Sequence, residues 1–400
     1  MTDIQRATAS APRPGTPSRL RAINDRAALQ LLLENGALTR TQIGTLTGLS
    51  KPTASQLLAR LESAGLVVPV GTTTAGGPGP NAQLYRINPA AGYAAGLDVT
   101  PSRIRVAVAD LAGTTIAEHV VPTPGRRAGG TAGRVTEAVT ETLRLAGLPA
   151  GSLHEVVIGT PGALDPATGR LRYASHLAGW HSPGLPAELS AALGAPVSIE
   201  NDVNLAAVAE QALGAARGCE DFVLLWAEEG IGAAIVIAGR LHRGFTGGAG
   251  EVGYMPVPGA PVVRDVRREN SGGFQELAGA RAVLALARQH GLNAPTAAAA
   301  VTLALDTPGA GEEFLSVLAD RLALGLAVIV AVVDPELVVL SGGTPTAGGD
   351  RLRELVQERL TGLAVAGPQV RCSTVPGPPV LHGALQRALA TAREAVFTTA

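Results

Sequence analysis

The chain has 400 residues, more than a single hydrophobic core usually organises, so we expect more than one domain. Hydrophobic residues make up 46% of it and charged residues 16%, which excludes a chain that is disordered throughout. Two cysteines, Cys219 and Cys372, occur without a CxxC motif or a Cys/His cluster, which excludes a disulfide framework and a cysteine zinc site.

The N-terminal segment, residues 1–17, is rich in Ala, Pro, Ser and Thr and lacks the apolar stretch of a secretory signal. We expect this segment to be disordered and the protein to be cytoplasmic. The longest apolar run, Leu322–Val333, has twelve residues, whereas a membrane-spanning helix needs roughly twenty. No membrane partner is therefore predicted.

The net charge of −1 is unevenly divided along the chain. Residues 1–90 carry nine basic and four acidic side chains, a net charge of +5, whereas the remainder carries 23 basic and 29 acidic ones, a net charge of −6. A basic first part on an acidic body indicates that the first part binds a polyanion and the body does not.

Residues 18–88 have the pattern of a winged helix-turn-helix domain. A first helix is predicted over 24–36, and a capping box of Thr39 and Gln42 begins a second helix. Ser50 is the predicted N-cap of a third helix that runs to about residue 64. Two short strands, LVVPV and AQLYRI, then flank a Gly/Pro/Thr loop and complete the wing.

The third predicted helix has an apolar face and a polar face. In a winged helix-turn-helix this helix lies in the major groove of DNA, where its polar side chains contact base edges or phosphates. A winged helix used for protein contacts is the alternative, but the basic charge favours DNA. The residues predicted to bind double-stranded DNA are Lys51, Thr53, Ser55, Gln56 and Arg60.

After Pro89 the composition changes to Ala, Val, Gly and Leu, and strands alternate with helices, which is typical of an α/β fold. The succession strand, turn, strand, polar turn occurs twice, near residue 98 and near residue 226. This repetition predicts a duplicated α/β fold with a cleft between two lobes. The predicted strands are 93–98, 103–110, 115–121, 156–159, 197–200, 222–227 and 231–238, with helices over 130–146 and from a capping Asp202 to about 216.

From Ser18 to the C-terminus the sequence resembles the ROK family of repressors, open reading frames and kinases. The resemblance is carried by LTRTQIGTLTGLSKPTASQLLARLESAGLV in the head and, in order, by GTPGALDPATGRL, LAGW, ENDVNLAAVAE, GIGAAIVIAGRLHRG, GAGEVGY and LSGG in the body. It implies an α/β, actin-like sugar-kinase body with a small lobe over 92–200, completed by a C-terminal helix over 381–400, and a large lobe over 201–380.

The resemblance also implies a sugar site. In the family an Asn-Asp pair, the Glu of a GExGH motif and a Glu after the zinc cysteines hydrogen-bond sugar hydroxyls. Carboxylates and amides suit a polyol because its hydroxyls both donate and accept hydrogen bonds. The matching residues are Asn201, Asp202, Glu251 and Glu276, and two further sugar-contacting positions carry changed residues, His176 and Tyr254.

Departures from the family pattern argue against catalysis and against a metal. The Asp-x-Gly-Gly-Thr phosphate loop of the kinases is Asp98–Ser102 here, without its glycines and with Pro101, which has no N–H. The second phosphate loop, Gly-Thr-Gly-Ile-Gly, is Glu228–Gly232, with two carboxylates. The family's zinc thiolates are replaced within residues 267–276. We therefore expect no enzyme activity, no cofactor and no metal, and we expect Phe274 packing and Arg/Glu pairs to stabilise that loop.

The sequence thus predicts a DNA-binding repressor of carbohydrate genes that responds to a small sugar or sugar derivative. We expect a homodimer or homotetramer on an inverted-repeat operator, since two-fold proteins bind pseudo-palindromic sites, and association with the nucleoid when DNA is bound. One alternative is an active ROK sugar kinase with an appended DNA-binding domain. Another is a regulator controlled by protein contact, with a vestigial cleft.

Overall fold

The computed structural model describes residues 17–72, 82–122, 130–165, 168–169, 171–172, 179–180, 182–263, 265, 272–365 and 367–398. The chain divides into two compact units. The first contains the described residues up to Tyr93, together with Asp110–Thr114 and the chain from Thr391 onward. The second contains Ala94–Ala109 and the described residues of Thr115–Ala390.

The first unit has the helix-turn-helix and wing strands that the sequence predicts. Its helices and strands are α1 (Pro17–Asn35), β1 (Leu38–Thr39), α2 (Arg40–Thr47), α3 (Lys51–Ser63), β2 (Val67–Thr72) and β3 (Gln83–Ile87). The three strands form an antiparallel sheet in the order β1-β3-β2. The core beneath the helices is apolar and buried: Leu29, Leu32, Ile43, Leu57, Leu58 and Leu61.

Local capping explains where α2 and α3 begin. Gln42 Oε1 accepts the Thr39 N–H at 2.8 Å and the Thr39 hydroxyl accepts the Gln42 N–H at 3.3 Å, which confirms the capping box. Ser50 accepts the Thr53 N–H and caps α3, with Pro52 in its first turn, also as predicted. The predicted start of α1 at Asn24 is wrong, because the helix begins at Pro17 and Asn24 lies inside it.

The second unit contains two five-stranded sheets with the same topology. The first sheet has the order β10-β7-β4-β5-β6 and the second β13-β12-β11-β14-β15. With the strands of each sheet numbered one to five along the chain, both orders are 3-2-1-4-5, which confirms the predicted duplication. The strands are β4 (Tyr93–Val99), β5 (Arg103–Asp110), β6 (Thr115–Pro122), β7 (Leu153–Thr160), β10 (Val197–Asn201), β11 (Phe222–Ala227), β12 (Ile231–Ile237), β13 (Arg240–His242), β14 (Leu337–Ser341) and β15 (Gln369–Cys372), with a separate hairpin of β8 (Ala163–Leu164) and β9 (Leu171–Arg172).

One helix, α6, lies between the two sheets. Its Val203 and Ala206 belong to the apolar cluster formed with β11 and β14 of the second sheet. Its Leu205 lies against Gly159 of β7 in the first sheet. The helices of this unit are α4 (Gly130–Leu145), α5 (Leu185–Leu193), α6 (Asp202–Leu213), α7 (Gln275–Ala278), α8 (Ala280–Gln289), α9 (Ala297–Leu305), α10 (Ala310–Val333), α11 (Gly343–Leu363) and α12 (Pro379–Thr398).

The N-cap of α6 is Asn201, whose side chain accepts the Asn204 N–H, so the predicted capping role of Asp202 is wrong. Asp202 is instead the first residue of the helix. The helix ends at Leu213 rather than at the predicted residue 216, because Gly214 has non-helical dihedral angles of φ −117° and ψ −148°. The end of β10 and the first turn of α6 thus meet at Asn201–Asp202.

The apolar run that ends at Val333 belongs to α10, which by length and composition is the one described helix that could cross a membrane. Its apolar residues pack instead into the apolar cluster on the second sheet, where α10 contacts α9 and α11. Leu318, Leu322 and Leu326 are fully buried there.

Helix α12 packs so closely on α6 and β4 that main-chain atoms touch. A Cβ added at Gly383 would lie 1.8 Å from the Leu205 carbonyl oxygen, and one at Gly96 would lie 2.4 Å from the Leu385 nitrogen. No side chain larger than hydrogen fits at either position without moving the backbone.

We expect Gly383→Ala to lower the free energy of unfolding of the second unit by about 3 kcal/mol, because overpacking against main chain leaves nothing flexible to move. Gly133→Ala on α4 is the matched control. An added Cβ there meets nothing within 4 Å, so the substitution should raise the free energy of unfolding by about 0.5–1 kcal/mol. Urea unfolding curves test both. Equal midpoints for the two variants would contradict the proposed close contact.

Candidate functional site

The outer face of α3 carries the residues predicted to bind DNA. Lys51, Thr53 and Gln56 are exposed, and Ser55 and Arg60 are half-buried. The Ser55 hydroxyl donates to the Lys51 carbonyl at 2.9 Å, and the Thr53 hydroxyl hydrogen-bonds that of Ser50 at 2.8 Å. Both hydroxyls thus support the first turn of the helix, which directs Lys51 and Gln56 to solvent.

Arg60 forms an ion pair within the winged helix-turn-helix domain, referred to as the head. Its guanidinium donates two hydrogen bonds to the carboxylate of Asp25 on α1, from Nε at 3.2 Å and from Nη2 at 2.5 Å. Asp25 is only 5% exposed, so this ion pair compensates a desolvated charge and joins α1 to α3. Arg60 therefore has a structural role that the sequence did not reveal, because Asp25 lies 35 residues earlier in the chain.

Residues 73–81 of the Gly/Pro/Thr loop in the wing lie outside the described residues. The same is true of His176 and of residues 267–271, so the Arg/Glu pairs expected there are not described either. Phe274, at the end of that loop, is fully buried as expected.

In the second unit the predicted sugar residues Asn201 and Asp202 lie at the junction of β10 and α6. The Asn201 amide is used within the protein, since Oδ1 accepts the Asn204 N–H at 3.0 Å and Nδ2 donates to the Gly162 carbonyl at 3.1 Å. One oxygen of Asp202 accepts the Val203 N–H at 2.8 Å. The first turn of α6, the helix between the two sheets, therefore orients Asp202.

Four carboxylates interact electrostatically around this junction: Asp98 at the end of β4, Asp202, Glu228 after β11, and Glu251. Burial, opposed by the Val203 hydrogen bond and reinforced by the charges of Asp98 and Glu228, raises the pKa of Asp202 to about 6. Burial, followed by the charge of Asp202, raises the pKa of Glu251 to about 7. The structure therefore brings together Asp202 and Glu251, as the resemblance implied.

Arg103 is a cation that acts on two carboxylates of this group, Asp98 and Glu228. Burial raises the pKa of Asp98, which is 7% exposed, while the charges of Arg103 and Arg105 oppose the rise. Glu228 lies at the exposed rim, where partial desolvation and the charge of Glu229 raise its pKa and Arg103 again opposes. The excess of carboxylates over cations makes this an acidic site that attracts hydroxyl donors and repels anions.

Glu251 directly precedes a single 3-10 turn, Val252–Tyr254, in which Tyr254 is half-buried. Glu276 is also half-buried and lies in α7. Gln275, at the start of α7, accepts the Ile231 N–H at 2.7 Å and donates to the Glu229 carbonyl at 3.2 Å. Sequence reasoning missed Gln275, since no local pattern links it to the β11–β12 turn.

A second set of residues that the sequence did not reveal surrounds Glu200, directly before Asn201. Its carboxylate, 7% exposed, accepts hydrogen bonds from Arg243 Nε at 2.8 Å and Asn204 Nδ2 at 3.0 Å, and pairs with Arg387 of α12 at 2.9 Å. These bonds fix the end of β10 next to Asp202. The available signal was the position of Glu200 within the ENDVN motif.

Comparison with known proteins decides the family. The model of the ROK family matches residues 94–376, and a winged helix-turn-helix DNA-binding model matches residues 21–68. The chain belongs to the ROK family.

Similar proteins include a repressor, a transcriptional regulator and a kinase. The xylose repressor of Caldicellulosiruptor bescii is 24% identical over 362 residues, covering 86% of this chain and 90% of its own. A ROK family transcriptional regulator, described as a homologue of the E. coli MLC protein, superposes with a TM-score of 0.72 at 17% identity, covering 95% of this chain and 99% of its own. The ROK hexokinase from Thermus thermophilus superposes with a TM-score of 0.63 at 28% identity, covering 76% of this chain and 99% of its own.

The carboxylates of the ROK body predict a pH-dependent stability. The pKa values of about 6 for Asp202 and about 7 for Glu251 lie above the ordinary 3.8 and 4.5 of the unfolded chain. The folded protein therefore binds more protons between these values, and its stability falls as the pH rises from about 4.5 to about 7. We expect Glu251→Gln to have a melting temperature that falls less than that of the wild type between these limits.

Differential scanning calorimetry at the two ends of that pH range measures the difference. The control is Glu137→Gln, which changes an exposed carboxylate on α4 in the same way. If the two substitutions alter the pH dependence of the melting temperature equally, burial does not raise the pKa of Glu251.

Proposed function

We propose that this ROK protein is a sugar-responsive, DNA-binding transcriptional repressor without kinase activity. The observation that carries the proposal is the union, in one chain, of a helix-turn-helix with a polar, exposed α3 face and a ROK body with an acidic site. The similarity to a xylose repressor over 86% of the chain supports the same conclusion.

On the DNA side, Lys51 and Gln56 are the side chains most available to a ligand. Within the described residues, neither side-chain end has a hydrogen-bond partner. Lys51, the chain's one lysine, lies at the N-terminus of α3, where helix N–H groups and the ammonium together suit a phosphate. We propose that Lys51 binds the backbone of the duplex and that Gln56 contacts base edges.

On the effector side, Asp202 and Glu251 are partly desolvated acceptors, and no cation of the described residues contributes to their pKa shifts. Hydroxyls of a sugar supply the donors that such carboxylates lack, and each carboxylate can accept two. The relative's name suggests a pentose such as xylose as the first candidate effector. We propose a homodimer or homotetramer on an inverted repeat, because two-fold symmetric helix-turn-helix proteins bind pseudo-palindromic operators.

The turn after β4 is the first feature that argues against kinase activity. The Thr100 N–H donates to the Arg103 carbonyl at 2.9 Å, the Thr100 hydroxyl accepts the Arg103 N–H at 3.2 Å, and Pro101 has no N–H. Most main-chain donors of this turn are thus used within it or missing. A phosphate there would meet few free N–H groups.

The turn between β11 and β12 is the second feature that disfavours nucleotide binding. The Glu228 N–H donates to the Gly230 carbonyl at 3.1 Å, and the Ile231 N–H donates to Gln275. The Glu228 carboxylate lies beside the first residue of α11, with Oε1 3.7 Å from the place where a Cβ of Gly343 would stand. A triphosphate between these elements would meet a carboxylate at short range, which costs several kcal/mol at an effective dielectric constant of about 20.

The competing function is an active kinase, which the likeness to the Thermus thermophilus hexokinase favours. We expect no ATP-dependent phosphorylation of glucose, xylose or N-acetylglucosamine above the rate without protein, because neither phosphate loop presents its donors. Coupled assays with each sugar test this. Turnover above background, or ordered triphosphate beside Pro101 and Glu229 in nucleotide-soaked crystals, would overturn the proposal.

Two substitutions on α3 should separate DNA contact from head stability. Lys51→Ala should weaken binding to double-stranded DNA and lower the slope of log affinity against log salt by about 0.9, the value for one phosphate contact, while leaving the melting temperature unchanged. Arg60→Met should lower the stability of the head by about 3 kcal/mol, because it leaves the buried Asp25 carboxylate unpaired.

Fluorescence anisotropy with a duplex selected from a random pool gives the slope, and circular dichroism gives the stability. An unchanged affinity and slope for Lys51→Ala would show that α3 is not the helix that contacts DNA.

Sugar response is tested by calorimetry against xylose, glucose and N-acetylglucosamine, with and without the selected duplex. We expect one of them to bind and to change the DNA affinity, and Asp202→Asn should abolish both effects. The control is Asp306→Asn, at the end of α9. If no sugar binds and the DNA affinity is unaffected, a regulator controlled by protein contact replaces this proposal.

A further inference from the structure

The segment that begins at Gly272 is anchored by an aromatic side chain, at one of the positions where the family's zinc thiolates are replaced. The Phe274 ring is fully buried and fills the space beside Gly325 of α10, with ring atoms 2.2–2.5 Å from the place of a Gly325 Cβ. The Phe274 N–H donates to the Met255 carbonyl at 2.9 Å. This packing fixes the start of α7 and, with it, the next residue, Gln275.

The Gln275 side chain uses both ends of its amide on the turn between β11 and β12. Its Oε1 accepts the Ile231 N–H at 2.7 Å, and its Nε2 donates to the Glu229 carbonyl at 3.2 Å. Of the twenty side chains, an uncharged amide is suited to satisfy a main-chain donor and a main-chain acceptor at the same time.

The same side chain lies against the turn that follows Glu251. A Cβ at Gly253 would stand 3.4 Å from Gln275 Oε1 and 2.8 Å from the Ile231 carbonyl oxygen. The 3-10 turn of Gly253 begins directly after Glu251. Gln275 is therefore hydrogen-bonded to the turn that carries Glu229 and lies beside the turn that follows Glu251.

We propose that Gln275 is a positioning residue of the candidate sugar site, which fixes the Glu251 turn against the Glu229–Ile231 turn. Its effect on sugar binding rests on the function proposed above, whereas its effect on the two turns does not. Leucine at this position leaves the Ile231 N–H and the Glu229 carbonyl without their partner. Glutamate keeps an acceptor for Ile231, loses the donor to Glu229, and adds a negative charge near a site that already has an excess of them.

The chain offers a matched control in Gln357 of α11. Its Oε1 accepts the Val370 N–H at 2.7 Å and its Nε2 donates to the Pro368 carbonyl at 3.2 Å, the same pair of bonds at the same distances. These bonds join α11 to the start of β15, away from Glu251 in the chain and in its contacts. Gln357→Leu therefore makes the same chemical change without touching the candidate site.

Hydrogen exchange of the full chain, followed by mass spectrometry, tests the positioning role without any sugar. Gln275→Leu should speed exchange roughly tenfold, the equivalent of one lost hydrogen bond, in both the 229–233 and the 250–256 segments. Gln357→Leu should speed exchange around 368–372 and leave both of those segments unchanged. If Gln275→Leu leaves the 250–256 segment at the wild-type rate, the proposal is overturned.

Sugar affinity supplies the second measurement, with the sugar from the xylose, glucose and N-acetylglucosamine panel that binds the wild type. Gln275→Leu should weaken it roughly tenfold and Gln357→Leu less than twofold. The pH midpoint of binding, set by the Glu251 pKa of about 7, should move to lower pH in Gln275→Leu because a looser turn hydrates the carboxylate. Gln275→Glu should recover exchange protection of Ile231 but not the affinity.

The outcomes separate the two proposals. Wild-type affinity and an unshifted pH midpoint in Gln275→Leu would refute the positioning role even if the exchange rates change. If none of the three sugars binds the wild type, the effector part of the proposed function fails, and the exchange rates of the 250–256 segment alone decide the role of Gln275.

Discussion

The arrangement of the second unit depends on the close packing of α6 between two sheets of equal topology. Leu205 reaches β7 of the first sheet, and Val203 reaches the second, where a Cβ at Gly232 would stand 3.2 Å from its side chain. Helix α12 packs on α6 at Gly383, where the main chains of the two helices are in contact. Because α6 begins at Asp202, this packing places one carboxylate at the junction of the duplicated halves, and the remaining groups of the site are arranged around it.

The carboxylates near that junction fall into two kinds, distinguished by their partners. Glu200 is as buried as Asp98, each being 7% exposed, yet it has Arg243 and Arg387 beside it and a donor in Asn204, so its charge is compensated. Among the residues that the structure describes, no such cation acts on Asp202 or Glu251, and burial raises their pKa values. A carboxylate that folding leaves undercompensated is available for a ligand, whereas a compensated one stabilises the scaffold. This difference in pairing supports assigning Asp202 and Glu251 to the effector and Glu200 to their support.

Local sequence patterns predicted the features whose causes are local. The capping residues Thr39 and Ser50, the strand positions and the repeated strand-turn-strand pattern depend on neighbours a few residues apart, and the structure confirms them. The pairing of Arg60 with Asp25 and of Gln275 with the β11–β12 turn depends on residues 35 and 44 positions away, which no periodicity indicates. The motif ENDVN located the candidate site, but the roles of its members required the fold, since Asn201 is the cap and Glu200 the ion-paired member.

The turns at Asp98–Ser102 and Glu228–Gly232 satisfy part of their main-chain hydrogen bonding within the protein. Main-chain N–H groups that point into a cleft need partners, and an N–H that is buried without one costs free energy. Here Thr100 and Arg103 bond to each other across the first turn, and Gln275 accepts the Ile231 N–H of the second. Internal partners of this kind stabilise the unliganded turns. Under the proposed function, Asp202 and Glu251 then accept hydrogen bonds from the hydroxyls of the effector.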